Sequence, residues 1–155
     1  MLDSLLIPFR SQPQPPALPE GYQLDPDAAV VAAELNPLLV RCGDPSRAAE
    51  RQQLALARSA WQLAIRNPAG GLVAFVRSTS DQALNANLWD LCADPTDPAA
   101  AQLLLVLVYA ALTRLRRELP GCSISVAAAP AALQALQHHG FVVDPGGIRA
   151  MGLRL

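Results

Sequence analysis

From residue 61 onward the apolar and polar positions change period several times. Trp61, Leu63 and Ile65 alternate, the spacing of a strand with one buried side. Asn67-Pro68-Ala69-Gly70-Gly71 carries a hairpin signal, and Leu72–Val76 reads as the return strand. Arg77–Asn85 is polar and reads as a connection. Ala86–Ala93 is the next strand, and its alternation puts Leu88, Asp90 and Cys92 on one face and Asn87, Trp89 and Leu91 on the other. Asp94–Asp97 reads as a turn, with Asp97 as helix cap and Pro98 as the first helical residue. A long apolar helix follows to about Leu119 and stops at Pro120-Gly121. Cys122–Ala127 is a strand, and Pro130 opens a short helix that Gly140 closes. Phe141–Val143 and Ile148–Leu155 are the last two predicted strands, joined by the turn Asp144-Pro145-Gly146-Gly147.

Upstream, residues 1–20 form a proline-rich arm and residues 21–155 a single domain. The arm reads as a tether or as a docking peptide. Gly21–Leu24 is a short strand. A helix starts at Asp25 or Asp27 beside Pro26, kinks or breaks at Asn36-Pro37, and ends at Cys42-Gly43. Asp44-Pro45 starts a second helix with Leu54, Leu56 and Ala57 on its apolar side. Arg47, Arg51 and Arg58 share a face, either solvated or turned to an acidic partner. Interspersed helices and strands with hairpins at both ends predict a mixed sheet with helices packed on it.

Composition narrows the functional classes. The chain has 155 residues, 52% hydrophobic and 16% charged, enough for one domain with a substantial core. A net charge of −1 gives no electrostatic footprint for nucleic acid or an anionic membrane. There is no lysine. Cys42, Cys92 and Cys122 are scattered, without metal-ligand spacing, and fit a reduced, cytoplasmic compartment. The first residues lack the positive segment of a secretory signal. The apolar run Ala99–Leu112 is short for a bilayer and contains Gln102, so it reads as a buried helix.

Two groups of residues carry a family resemblance. The first is Val76-Arg77-Ser78-Thr79-Ser80-Asp81 with Asn85-Ala86-Asn87-Leu88-Trp89-Asp90-Leu91 and Asp94-Pro95. The second is Gly140-Phe141-Val142-Val143-Asp144-Pro145-Gly146-Gly147-Ile148-Arg149-Ala150-Met151. Together with the element order they resemble the GNAT N-acetyltransferase superfamily, in particular its cyanobacterial and plastid branch. The resemblance covers about two-thirds of the chain. It implies an α/β (α+β) GNAT-like acyl-CoA N-acyltransferase fold, a mixed twisted sheet of about six or seven strands flanked by about four helices. It also implies transfer of acetyl from acetyl-CoA to a primary amine, small-molecule or protein, without a metal. A homodimer is compatible with it.

The implied cofactor site has two parts. The pantetheine arm would lie where the strand Ala86–Ala93 splays from Cys122–Ala127, along the backbone of Leu91, Cys92 and Ala93. The pyrophosphate would meet the amides of Ala99, Ala100 and Ala101 at a helix N-terminus. The chain departs from the family twice. The segment Asp94–Gln102 has no glycine, Pro98 removes a donor, Asp97 adds a like charge, and no Arg lies between Arg77 and Arg114. Leu136 stands where the family often places a tyrosine as general acid. Among the other candidates, Asp90 is a base, a substrate-orienting group or a structural hydrogen-bonding group; Asp81 lies near the amine side. His138 and His139 are an acid or base, or cations at a helix C-terminus. Tyr109 is a packed residue, and Cys92 and Cys122 are neighbouring packing thiols. Two functions stay open, an N-acetyltransferase with an altered phosphate loop and a catalytically inactive GNAT-like binding or regulatory module.

Overall fold

The computed structural model describes residues 14–149 and 151–154. Residues 1–13 of the expected arm, and residues 150 and 155 of the expected last strand, lie outside the described residues. The elements are β1 (Gln23–Asp25), α1 (Ala32–Arg41), α2 (Ala49–Ala57), β2 (Trp61–Arg66), β3 (Leu72–Ser80), β4 (Asn85–Ala93), α3 (Ala100–Glu118), β5 (Ser123–Val126) and α4 (Leu133–His138). The five strands lie in sequence order; β1 to β4 are antiparallel, and β4 pairs with β5 in parallel. α3 covers one face, over Trp61, Leu63, Ile65, Val76 and Leu88. α1 and α2 cover the other, over Ala64, Phe75 and Cys92.

Helix starts are displaced from their expected positions. Asp27 does not open α1, because Gln62 of β2 takes the amides of Ala28 through its carbonyl and Val30 through its side chain. That holds the segment extended until Ala32, whose amide Gln53 of α2 accepts. α1 runs unbroken through Pro37. Proline in a helix costs about 3 kcal/mol. Leu35, Leu38 and Leu39 are fully buried beside it, and burial of each contributes about 2 kcal/mol. α2 begins at Ala49 rather than at Asp44-Pro45, leaving residues 44–48 as a loop. α3 begins at Ala100, after a turn in which Asp97 caps Ala99.

The polar segment expected as a connection is largely strand. β3 runs to Ser80 and β4 starts at Asn85. Asp81 makes the turn between them, its Oδ1 accepting the amides of Ala83, Leu84 and Asn85. The C-terminal segment reverses this pattern. Among the described residues no strand follows β5, so the sheet has five strands rather than six or seven. Residues 141–149 and 151–154 lie along the surface with Val142, Val143, Ile148, Met151 and Leu153 exposed. Alternation specifies a strand only where one face is buried, and these side chains bury none.

Candidate functional site

The register of β3 with β4 shifts by one residue between Phe75↔Cys92 and Arg77↔Trp89. Asp90 and Leu91 therefore both oppose Val76, a β-bulge. Asp90 adopts φ 58°, a left-handed conformation that aspartate tolerates better than most residues. The bulge flips the alternation. Leu88 and Leu91 both lie on the α3 side, and Cys92 on the α1 side, so the expected common face of Leu88, Asp90 and Cys92 does not form.

β4 and β5 pair only from Asn85↔Ser123 to Leu88↔Val126. Past Leu88 the two strands part, and among the described residues the β5-facing edge of β4 has no strand partner. A cleft of about 790 Å³ opens there. Trp89–Cys92 line one wall. Ile124–Ala129 and, from α4, Leu133, Leu136 and Gln137 line the other. Cys42, Asp44 and Arg47 from the α1–α2 loop stand at one mouth, and Phe141–Pro145 at the other side.

The α1–α2 mouth is built from a charge network. Asp90 accepts Arg77 Nε at 2.6 Å and Arg47 Nη2 at 2.8 Å. Arg47 also donates to Gln52, and its carbonyl accepts Asn36 Nδ2, which pins the loop to α1. Burial pushes the Asp90 carboxyl up, but the hydrogen bonds from Arg47 and Arg77 outweigh it and hold it below the ordinary range. With both oxygens engaged by guanidinium groups, Asp90 is a structural anion rather than a base. Arg47 is correspondingly not part of a solvated face; Arg51 and Arg58 remain exposed. Asp44 approaches Arg47 only at 3.7 Å and keeps half its side chain exposed at the cleft.

The other expected residues divide clearly. Leu91 and Cys92 line the cleft; Ala93 follows them, its carbonyl already accepting the Cys42 thiol. At the start of α3, Asp97 takes the Ala99 amide with its carboxylate and the Ala100 amide with its carbonyl. Among the described residues, Ala101 alone of the three alanines has an amide with no acceptor, and Gln102 adds a second. Asp97 also accepts the Tyr22 hydroxyl, so the residue just before β1 braces this turn. Asp81, Tyr109, His138 and His139 do not line the cleft. His139 Nε2 instead sits 3.1 Å from the Leu105 carbonyl with its ring tilted against Tyr109, and burial lowers its pKa. Leu136 lines the cleft where the resemblance leads to a tyrosine.

Sequence spacing missed Arg41, Cys42, Asp44 and Arg47. Arg41 brings a cation from α1 onto Asp94, at the end of β4, with a 2.6 Å contact. Positions 78–113, along β4 and α3, carry no such cation; it arrives from 53 residues upstream. Among the described residues no helix is long and apolar enough to cross a membrane, and no cluster of three or more His, Cys, Asp or Glu is placed to hold a metal.

No family model matches the chain. It is 33% identical over 123 residues to the rice (Oryza sativa subsp. japonica) protein named serotonin N-acetyltransferase 2, chloroplastic, covering 76% of this chain and 59% of that one. It is 31% identical over 140 residues to GCN5-related N-acetyltransferase 1, chloroplastic, of Arabidopsis thaliana, covering 85% of this chain and 62% of that one. The chain thus spans about three-fifths of the length of these relatives. Among solved structures it superposes on a GNAT-family acetyltransferase of Streptococcus pneumoniae with a TM-score of 0.63 at 12% identity, over 86% of this chain and 96% of that one. A Staphylococcus aureus protein described as a "probable acetyltransferase" gives a TM-score of 0.75 at 12% identity, over 86% and 99%.

Proposed function

We propose that the chain is a member of the GNAT N-acetyltransferase superfamily and transfers acetyl from acetyl-CoA to a primary amine, a reading supported by its similarity to the two plant N-acetyltransferases. The observation that carries this reading is the bulged, unpaired edge of β4 facing an open cleft. Along Leu91–Ala93 the backbone groups that point away from β3, the Ala93 amide among them, are ones a pantetheine arm pairs with as an added strand does, while those of Cys92 face Phe75 of β3. The free amides of Ala101 and Gln102 at the start of α3 meet the pyrophosphate. The thioester then lies near the bulge, with its reactive carbonyl turned to the α1–α2 mouth.

The amine enters at that mouth. Trp89, 41% exposed, presents its ring there, held by a hydrogen bond from Nε1 to Thr79. Asp44 is the carboxylate that receives the ammonium form. The neutral amine attacks the thioester carbon directly, the C–N bond forms, the C–S bond breaks, and the CoA thiolate takes up the proton the amine loses. A small-molecule amine and a protein amine both satisfy this chemistry.

A second reading, a catalytically inactive GNAT-like module, is favoured by one observation: Asp97 consumes two helix amides and carries a like charge toward the phosphates. The deciding experiment is release of free CoA thiol from acetyl-CoA across a panel of primary amines. Amine-dependent release supports transfer. No release of CoA thiol on any amine supports the module.

A further inference from the structure

The proline-rich arm ends on the start of α3. Ala17 offers its carbonyl oxygen to Gln102 Nε2 at 2.7 Å, across eighty-five residues of chain. Leu18, half-buried, packs against the core between α3 and the sheet. The chain then turns, with the Pro19 carbonyl accepting the Tyr22 amide, and the Tyr22 hydroxyl donates to Asp97 Oδ1 at 2.8 Å. Residues 17–22 are thus fastened at three points, two of them on polar side chains at the start of α3.

The fastening falls on the proposed phosphate site. Gln102 supplies one of the two free amides there. Its side-chain amide is a further donor of the kind a phosphate oxygen accepts from, and Ala17 holds that donor instead. What the arm presents in exchange is unfavourable to an anion. Pro15, Pro16 and Pro19 have no N–H, so this stretch is rich in carbonyl oxygens and poor in amides. Residues 14–22 contain one acid, Glu20, and no Arg, Lys or His. An arm that assisted phosphate binding would bring donors or a cation. This one brings a carbonyl dipole whose negative end takes the place that the helix start otherwise offers to a ligand's charge. The prolines also confine the unseated arm, so seating it costs less entropy than ordering an ordinary segment.

Building on the acetyl-CoA reading, we propose that residues 15–19 form an autoinhibitory strap, seated on the start of α3 in the free protein and displaced by the phosphates of acetyl-CoA. While the strap is seated, the Gln102 side chain is engaged, and acetyl-CoA binds only the fraction of molecules whose strap is open. Its apparent affinity is reduced by that fraction. Linkage makes the effect mutual, so bound acetyl-CoA drives the strap off by the same factor. Pantetheine has no phosphates, lies along β4 and is indifferent to the strap.

The test is hydrogen exchange of the full chain, read on the peptide spanning residues 14–22, with calorimetry on the same samples. Saturating acetyl-CoA is expected to speed exchange in this peptide, and pantetheine to leave it unchanged. Leu18→Ser removes the apolar anchor of the strap and no group of the cleft. It is expected to bind acetyl-CoA about two- to ten-fold more tightly, the weight of one hydrogen bond, and pantetheine equally. Bound acetyl-CoA with unchanged or slowed exchange of this peptide in the wild type overturns the proposal and leaves the acetyl-CoA reading standing. Failure of acetyl-CoA to bind both the wild type and Leu18→Ser overturns both. Reading exchange on the wild-type chain keeps the test decisive even if Leu18→Ser folds poorly.

Discussion

Arg77 Nε donates to Asp90 Oδ2 at 2.6 Å across the bulged pair of β3 and β4. That contact holds a left-handed aspartate at the point where β4 leaves β5, and so couples the strand distortion to the opening of the cleft. The Asp90 side chain is 6% exposed, with Arg47 on its second oxygen. Asp90→Ala leaves two guanidinium groups facing each other without their anion. Loss of one partner of a buried ion pair costs about 3–5 kcal/mol. We expect chemical denaturation of this variant to give a loss of that size, together with weaker acetyl-CoA binding because the bulge relaxes.

Acid should act through the same contact. The folded-state pKa of Asp90 is depressed, by the two arginines against the opposing burial; that of Asp94 is depressed by hydrogen bonds from Thr96 and then Arg41, also against burial, and that of Glu34 by Arg66. A depressed carboxylate contributes stability that is fully present above its unfolded pKa of about 4 and is lost as pH falls through the folded value. Thermal unfolding followed between neutral pH and about pH 3 should therefore show a plateau above the ordinary carboxylate range and a decline below it. In Asp90→Asn the part of this decline due to Asp90 should be absent.

The start of α3 gives a gain-of-binding prediction. Asp97→Asn keeps an oxygen for the Ala99 amide and removes the negative charge beside the free amides of Ala101 and Gln102. A unit charge near a helix N-terminus is worth up to about 1 kcal/mol, so acetyl-CoA affinity should rise by about five-fold in calorimetry at low salt. Pantetheine, which lacks the phosphates, should bind both forms equally.

The amine mouth gives the complementary test. Asp44→Asn should raise KM for a primary amine by roughly three- to ten-fold, the weight of one charge-assisted hydrogen bond at a half-exposed site. Acetyl-CoA affinity should stay unchanged. Steady-state kinetics with each substrate varied in turn separates the two constants.

How much of this the sequence disclosed depends on whether the cause was local. Trp61, Leu63 and Ile65 alternate and bury together, as their spacing predicts. The Asn67–Gly71 hairpin forms because Asn67 Oδ1 accepts the amides of Ala69 and Gly71 within the same five residues. The bulge at Asp90 breaks the period because Arg47 and Arg77, forty-three and thirteen residues away, hold it. The start of α1 shifts because Gln62 and Gln53 reach in from other elements. Cys42, Asp44 and Arg47 enter the cleft only once α1 packs on β4. In each of these cases the deciding partner is a side chain distant in sequence, which periodicity along one segment does not register. Val142, Val143 and Ile148 fail in the opposite sense, with strand-forming side chains and no face to cover.

The measurement that bears most directly on the account is calorimetric titration of the full chain with acetyl-CoA, with pantetheine and desulfo-CoA alongside. The unpaired edge of β4 and the free amides of Ala101 and Gln102 predict saturable acetyl-CoA binding at micromolar strength, about −8 kcal/mol, with desulfo-CoA close to it and pantetheine weaker. No heat at millimolar acetyl-CoA would contradict the assignment of the β4–β5 cleft as an acyl-CoA site.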